Sequence, residues 1–552
     1  MKNKYLLTAV LSLGLTAIAL VGCGNSNDSA TDEDDVVILT FFSADGLLEM
    51  NFDDAIAEEI TRRTGVRLEI SAPMAGDEAQ DIALMVSQNE YPDLIYAKSS
   101  IDLLVNAGAV LPLDDLIEEK GEHLKALYGD KLGRLRYTLD DPAIYHVGTG
   151  PVNERITETS GTAQIQMEVM RELGFPELKT LEDFENAIKM YMEANPTIND
   201  QDTIGLSLLG SDWRWLITVG NPAGMTAGLP DDGEWYINEE TGEATIKYLL
   251  PEFRDYFRWL NRMNAEGILD PESFTHTYDT YLSKLSSGRV LAVMDADWNI
   301  DESQIALVAD SQPWRTFMPL PITQNENSEP LITRPSGFYG MVGVSIAANS
   351  DQANKAFEFL DWMASEEAQI LVNWGIEGVH YEYVDGVRTL FPEVVEERNT
   401  NPHYSRESGV GEYIHPFPVW GNAAVDSTGN LIVPDSPEQI MANYNEAERE
   451  TLSAYGVDFF INLFPTFSDF EGTRHGQAWA IPIPADTSLA LTMQRMGDFV
   501  QQGVTQAILA DSENFDEAWD EVIEGLESLG AEAANTEMTQ LVQDRIKLWE
   551  ME

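Results

Sequence analysis

Val36-Val37-Ile38-Leu39-Thr40-Phe41-Phe42 is the stretch that decides the fold of this chain. Apart from Thr40 it offers only β-branched, leucine and aromatic side chains, which predicts a parallel strand buried on both faces. Asn51 to Arg63 follows, with Phe52, Ile56 and Ile60 at helical spacing. Arg62 and Arg63 suit a helix C-terminus and Gly65 stops the helix. Val66-Arg67-Leu68-Glu69-Ile70 alternates and reads as a second strand. A second helix runs through Ile82, Leu84 and Met85, and Pro92-Asp93-Leu94-Ile95-Tyr96-Ala97 reads as a third strand. Strand, helix, strand, helix, strand is the pattern of an open parallel sheet covered by helices. Ligands of such sheets sit beyond the carboxyl ends of the strands. Here those ends carry Asp45 and Lys98, which are candidate ligand contacts by position.

Toward the N-terminus, Lys2 and Lys4 precede an apolar run from Leu6 to Val21, and Leu20-Val21-Gly22-Cys23 closes it with the only cysteine of the protein. A short basic start, a brief apolar core and a small residue before the end read as a secretory signal peptide, too short for a stable membrane span. The polar stretch from Gly24 to Asp35 reads as a tether. The net charge is −61, from 94 acidic and 33 basic residues spread along the chain. Such a surface repels phosphate backbones and attracts anionic headgroups little, so nucleic acid is not an expected partner. With 43% hydrophobic residues the chain is globular, and with a single cysteine it has no internal disulfide.

Toward the C-terminus, the chain reads as mainly helical and aromatic from Glu154 to about Arg262, with an amphipathic helix from Leu181 to Met192. Val290-Leu291-Ala292-Val293-Met294 is a lone buried strand and Met341 to Ile346 another. The second leads through Asn349-Ser350-Asp351, an N-cap cluster, into a helix from Ala353 to Met363. Phe515, Trp519, Val522, Ile523 and Leu526 mark one face of a late helix that ends near Gly530.

Several blocks, in order, resemble the extracellular solute-binding proteins of ABC importers, and most of all the large Gram-positive lipoproteins that serve oligosaccharide uptake. Leu20-Val21-Gly22-Cys23 resembles a lipobox. Thr64-Gly65-Val66 with Tyr91-Pro92-Asp93-Leu94-Ile95 resembles the family's TGV and PDII blocks, and Gly108-Ala109-Val110-Leu111-Pro112-Leu113-Asp114 its GALxPLDD. Glu266-Gly267-Ile268-Leu269-Asp270-Pro271-Glu272 resembles EGLIDPE, and Ser287 to Met294 the SGKVAMM strand. Val344 to Ser350 with Phe357 to Trp362, and Gly375-Ile376-Glu377-Gly378-Val379-His380-Tyr381, resemble two later signatures. The resemblance implies an α/β, periplasmic-binding-protein-like fold of type II, two α/β lobes joined by a hinge with a ligand cleft between them. It implies a signal peptide over 1–22, a tether over 23–35, an N-lobe of 36–150 plus 303–365, and a C-lobe of 151–302 plus 366–552. It implies acylation of Cys23, anchoring to the outer face of the cell membrane, a small-molecule or oligosaccharide ligand, and ABC permease subunits as partners of a monomeric receptor.

Aromatic rings bury the C–H faces of sugars, while carboxylates and amides take the hydroxyl rims. Trp298, just beyond the Val290–Met294 strand, stands where sugar binders of this family commonly place a stacking ring, and Asp297 beside it is a hydroxyl acceptor. Trp213 and Trp215 flank Arg214, and strand-like alternation puts both indoles on one side. Trp420 in its Pro-rich loop and Tyr339 between glycines complete the candidate ligand set with Asp45 and Lys98, while Trp374 reads as core. The family's calcium loop corresponds to Asn195, Asn199, Asp200 and Asp202, which lack the first aspartate and the bend glycine, so a plain loop and no cofactor are expected. The rival readings are a surface carbohydrate-active enzyme and a sensor or peptide-binding lipoprotein. No His-Glu-x-x-His, phosphate loop or nucleophile elbow marks a catalytic centre.

Overall fold

The computed structural model describes residues 36–45, 51–73, 78–153, 162–229, 233–331, 338, 340, 342–466, 478–481, 483 and 487–550. Cys23 and Tyr339 lie outside the described residues. Nine strands build the two main sheets: β1 Val37–Ser43, β2 Val66–Ser71, β3 Leu94–Tyr96, β4 Val147–Gly148, β5 Thr162–Gln166, β6 Ile204–Ser207, β7 Val290–Asp295, β8 Phe317–Leu320 and β9 Gly343–Ile346.

The first sheet has the order β2-β1-β3-β9-β4. β1 runs parallel to β2 and β3, with Val37 opposite Val66 and Phe41 opposite Leu94, and β9 runs antiparallel to β3 and β4. The helix Ala55–Thr64 starts on Asp54, whose carboxylate accepts the amides of Ile56 and Ala57, and ends on Gly65 at φ 66°, a left-handed position suited to glycine. β1 is sealed on both faces only from Phe41 onward, since Ile38 and Thr40 are exposed. Thr40 instead meets Asp93, which accepts from its amide at 2.9 Å and its hydroxyl at 2.8 Å. Asp93 also accepts from Ser350 at 2.5 Å. Ser350 therefore ties two chain segments together, and the helix Ala353–Met363 begins without a side-chain cap.

The second sheet has the order β8-β5-β7-β6. The strand Val290–Met294, expected to stand alone, extends to Asp295 and pairs antiparallel with β5 and parallel with β6, with every residue buried. β5 falls in a region expected to be mainly helical. Its Gln164 and Gln166 are almost wholly buried, which no hydrophobic pattern announces. Their amides donate to backbone carbonyls: Gln166 to Gly288 O at 2.9 Å and Val290 O at 2.6 Å, and Gln164 to Asp295 O at 3.1 Å.

Two large hydrophobic cores correspond to the two sheets, and a smaller one around Val290, Val293 and Phe317 lies on the second sheet. The expected domain boundaries shift. β8 pairs with β5, so residues 317–320 belong to the second body and not to the first. The stretch assigned to the C-lobe after residue 366 packs instead into the first core, through Leu371, Trp374, Tyr381, Val394, Tyr413 and Phe417. The second core takes over again from Ala447. Among the described residues the chain passes between the bodies three times, between β4 and β5, between β8 and β9, and before Ala447. The helices Ser488–Leu509 and Phe515–Leu529 pack with Pro251–Ala265 in the second body. The last helix, Ala531–Trp549, reaches across: Arg545 donates to Arg136 O at 2.5 Å and Tyr137 O at 2.6 Å of the first body.

The stretch corresponding to the calcium loop is a tight hairpin, Thr197–Ile198 against Gln201–Asp202. Asn199 and Asp200 occupy its two turn positions at φ 52° and 62°, the geometry of a two-residue primed turn. The Asn195 amide is committed to Glu172 at 2.9 Å. Among the described residues, no three His, Cys, Asp or Glu side chains are grouped as metal ligands.

Candidate ligand cleft

Trp298 lies in the first turn of the helix Asp297–Ala309, which starts directly after β7. Asp297 is the first residue of this helix, a place where the macrodipole favours a carboxylate. Trp213 sits in the turn that follows β6, closed by Trp215 N–H to Asp212 O at 2.9 Å and Leu216 N–H to Trp213 O at 3.1 Å. The two indoles stack, with centroids 6.1 Å apart and planes within 9°. Both are more than half exposed, 56% for Trp213 and 54% for Trp298. A parallel pair of tryptophans presented to solvent and rimmed by polar groups has the character of a binding platform.

The expectation that Trp215 shares a side with Trp213 fails. The segment turns helically, so residues two apart point in roughly opposite directions, unlike those of a strand. Trp215 is 5% exposed and packs on Tyr248 in the second core. Trp420 is not brought to the platform either. Its indole N–H donates to Ala364 O at 2.7 Å, its backbone N–H donates to Gln369, and its ring packs on the first core. Trp374 is buried, as read from the sequence.

Asp45 and Lys98 meet at the ends of the neighbouring parallel strands β1 and β3, 2.6 Å apart. His415 joins them, with Nε2 2.6 Å from the Asp45 carboxylate and its ring edge-on to Tyr96. Burial works to raise the Asp45 carboxyl, but hydrogen bonds from His415 and Lys98 outweigh it and hold the group below its ordinary range. From this anchorage the Lys98 ammonium reaches across to the second body and lies 5.4 Å from the centroid of Trp213. Asp45, Lys98, Trp213, Asp297 and Trp298, five of the residues singled out from sequence, therefore converge where the two bodies face each other.

Of the layer beneath, the sequence singled out Arg214 alone. Arg214 stacks on Trp213 at 4.8 Å and Tyr278 at 4.0 Å. It donates to Asp212 at 2.9 Å and, through Nε, to Asn299 at 2.9 Å. Asn299 in turn donates to both oxygens of Asp295, at 3.0 and 2.9 Å, and the Tyr281 hydroxyl donates to the same carboxylate at 2.7 Å. Gln164 donates to Asp297 at 2.7 Å. The Asp212–Arg214 spacing was a visible signal for one of these contacts. Gln164, Asn299 and Tyr281 carried none, since their partners are remote in the chain.

Burial pushes the Asp295 carboxyl up to about 6, against hydrogen bonds from Tyr281 and Asn299 that favour its charged form. The folded protein thus holds this proton more tightly than the unfolded chain, where the ordinary value is 3.8. Stability linked to Asp295 is therefore fully present below pH about 4 and is lost as pH rises to about 6. Asp295→Asn is expected to flatten the unfolding free energy over that window by on the order of 2–3 kcal/mol relative to the parent. Thermal unfolding of both proteins between pH 4 and 7 checks this, and parallel curves would refute it.

A family model, bacterial extracellular solute-binding protein, matches residues 55–374. The chain belongs to this family. A fructooligosaccharide ABC transporter substrate-binding protein, FusA of Streptococcus pneumoniae, is 22% identical over 311 residues, 51% of this chain and 55% of that one. Lipoprotein LipO of Bacillus subtilis is 23% identical over 265 residues, 46% of this chain and 49% of that one. The chain thus spans about half the length of the curated relatives it matches. Among solved structures, the alginate-binding protein AlgQ2 without calcium ion superposes with a TM-score of 0.65 at 16% identity, covering 94% of this chain and all of that one. The type II periplasmic-binding-protein-like fold expected from the sequence is the fold of the family. Among the described residues no helix is long and apolar enough to cross a membrane.

Proposed function

We propose that this protein is a lipid-anchored, non-catalytic receptor that captures an oligosaccharide by closure of its two bodies and delivers it to an ABC importer. The stacked Trp213–Trp298 pair carries the reading. It presents apolar faces matched to the C–H faces of sugar rings, within a rim of carboxylates and amides matched to hydroxyls. Family membership supports the receptor role, and the names of FusA and LipO support transport and lipidation. Closure is then a population shift, with the closed state favoured by contacts that the ligand makes to both bodies at once.

Titration calorimetry of the purified full chain with a panel of oligosaccharides tests the binding. At least one is expected to bind without being altered, and turnover of a glycan would overturn the receptor reading. Lipidation is tested at Cys23. Cells grown with labelled palmitate are expected to label the parent protein and not Cys23→Ser, with the variant released to the medium. A retained, unlabelled parent would remove the anchor.

A further inference from the structure

We propose that the ligand is an uncharged oligosaccharide and that the cleft discriminates against uronate-containing sugars, an inference that rests on the oligosaccharide reading above. Recognition of a sugar carboxylate calls for a guanidinium or ammonium whose charge is not already balanced by a protein carboxylate. Among the described residues, the two cations that touch the indole platform, Lys98 and Arg214, already carry carboxylates of their own. Lys98 is paired with Asp45 at 2.6 Å, and Asp45 is held a second time by His415. Arg214 has its charge balanced by Asp212, donates through Nε to Asn299 and lays its plane against Tyr278.

The surrounding field is negative. Asp297 adjoins Trp298, Asp295 lies under Asn299, and Asp301 and Glu302 of the same helix act on Tyr278 together with Asp295. Against two cations, the platform and its rim therefore carry an excess of carboxylates, inside a protein of net charge −61. Hydrogen-bonding capacity points the same way. The carboxylates of Asp45 and Asp297 are acceptors only. A neutral sugar supplies hydroxyl donors to them, whereas a carboxylate brings only further acceptors. The indoles remain available for stacking in either case, so charge is the discriminating element.

The test is calorimetric titration of the full chain with two matched panels at fixed ionic strength. One holds maltotetraose, xylotetraose, cellotetraose and nystose, and the other trigalacturonate and trimannuronate. At least one neutral sugar is expected to bind, with every uronate weaker by ~100-fold or more, the order set by one uncompensated charge contact. A uronate that binds as tightly as the best neutral sugar overturns the proposal and leaves the oligosaccharide reading standing. Silence of both panels overturns the two together. Asp45→Asn and Asp212→Asn, which release Lys98 and Arg214, supply the second arm. Each is expected to narrow the gap between the panels by ~10-fold or more, with the gain lost at high salt. An unchanged gap in both variants overturns the electrostatic basis.

Discussion

Trp298→Ala is expected to raise the dissociation constant for the bound oligosaccharide by ~10- to 100-fold, with the unfolding temperature unchanged. The two halves of this expectation have the same cause. With 54% of its surface open to water, Trp298 contributes little to either core, so its removal leaves the fold intact. Its position at the start of a helix anchored behind β7 holds the ring rigidly, and a rigid aromatic face loses little entropy when a sugar stacks on it. Trp213→Ala is expected to cost a similar factor. Because the rings lie within 9° of parallel and 6.1 Å apart, they form one surface, and the double variant should lose less than the product of the single effects. Calorimetry on the four proteins measures the coupling. Fully multiplicative losses would mean that the rings act on separate parts of the ligand, and an unchanged constant for Trp298→Ala would remove it from the site.

Arg388→Met is expected to destabilise the first body by about 3–5 kcal/mol, the largest stability effect foreseen here. The Arg388 and Asp426 side chains are fully buried and paired with each other. The guanidinium lies within a ring of aromatics, with centroids at 5.2 Å for Trp374 and 5.5 Å for Tyr381 and Tyr383. It also donates to the Tyr383 hydroxyl at 3.0 Å and Leu431 O at 3.1 Å. Removing it strands the Asp426 charge, which then keeps only donors from its own loop, the Thr428 amide and hydroxyl and the Asn430 amide. Denaturant unfolding measures the loss. Addition of Asp426→Asn to Arg388→Met is expected to recover part of it by deleting the stranded charge, and no recovery would assign the effect to packing alone. Arg388→Lys should rescue poorly, since an ammonium cannot span three partners in a plane.

The pair matters for function through the chain segment it secures. Residues 375–432 pack on the first body and include His415, which grips Asp45, which in turn holds Lys98 across from Trp213. Loosening the segment should therefore weaken ligand binding as well as stability.

Reading by period and position reached the platform because its members sit at places that chain order reveals. Asp45 and Lys98 close parallel strands, and Trp298 follows a wholly apolar strand that could only be buried. Trp215 was misread because a strand period was carried into a helical turn. β5 was missed because one buried face is built from glutamines whose amides donate to backbone carbonyls, so polarity concealed burial. The domain boundaries moved because strand partnership is a long-range property. Phe317–Leu320 is apolar enough for either body, and only pairing with β5 decides which one it joins.

By itself the sequence determined the three parallel strands of the first sheet, the family to which the chain belongs, the acidity of its surface and the residues that stand at strand ends. The strands, their ends and the acidity follow from local periodicity and composition, and the family from ordered blocks of sequence that resemble it. Only the tertiary structure decided that Trp213 and Trp298 are parallel, that Lys98 and Arg214 are already neutralised, and that Arg388 is caged. Each of these depends on contacts between residues far apart in the chain, and the energy of a charge or a ring is set by what burial places beside it.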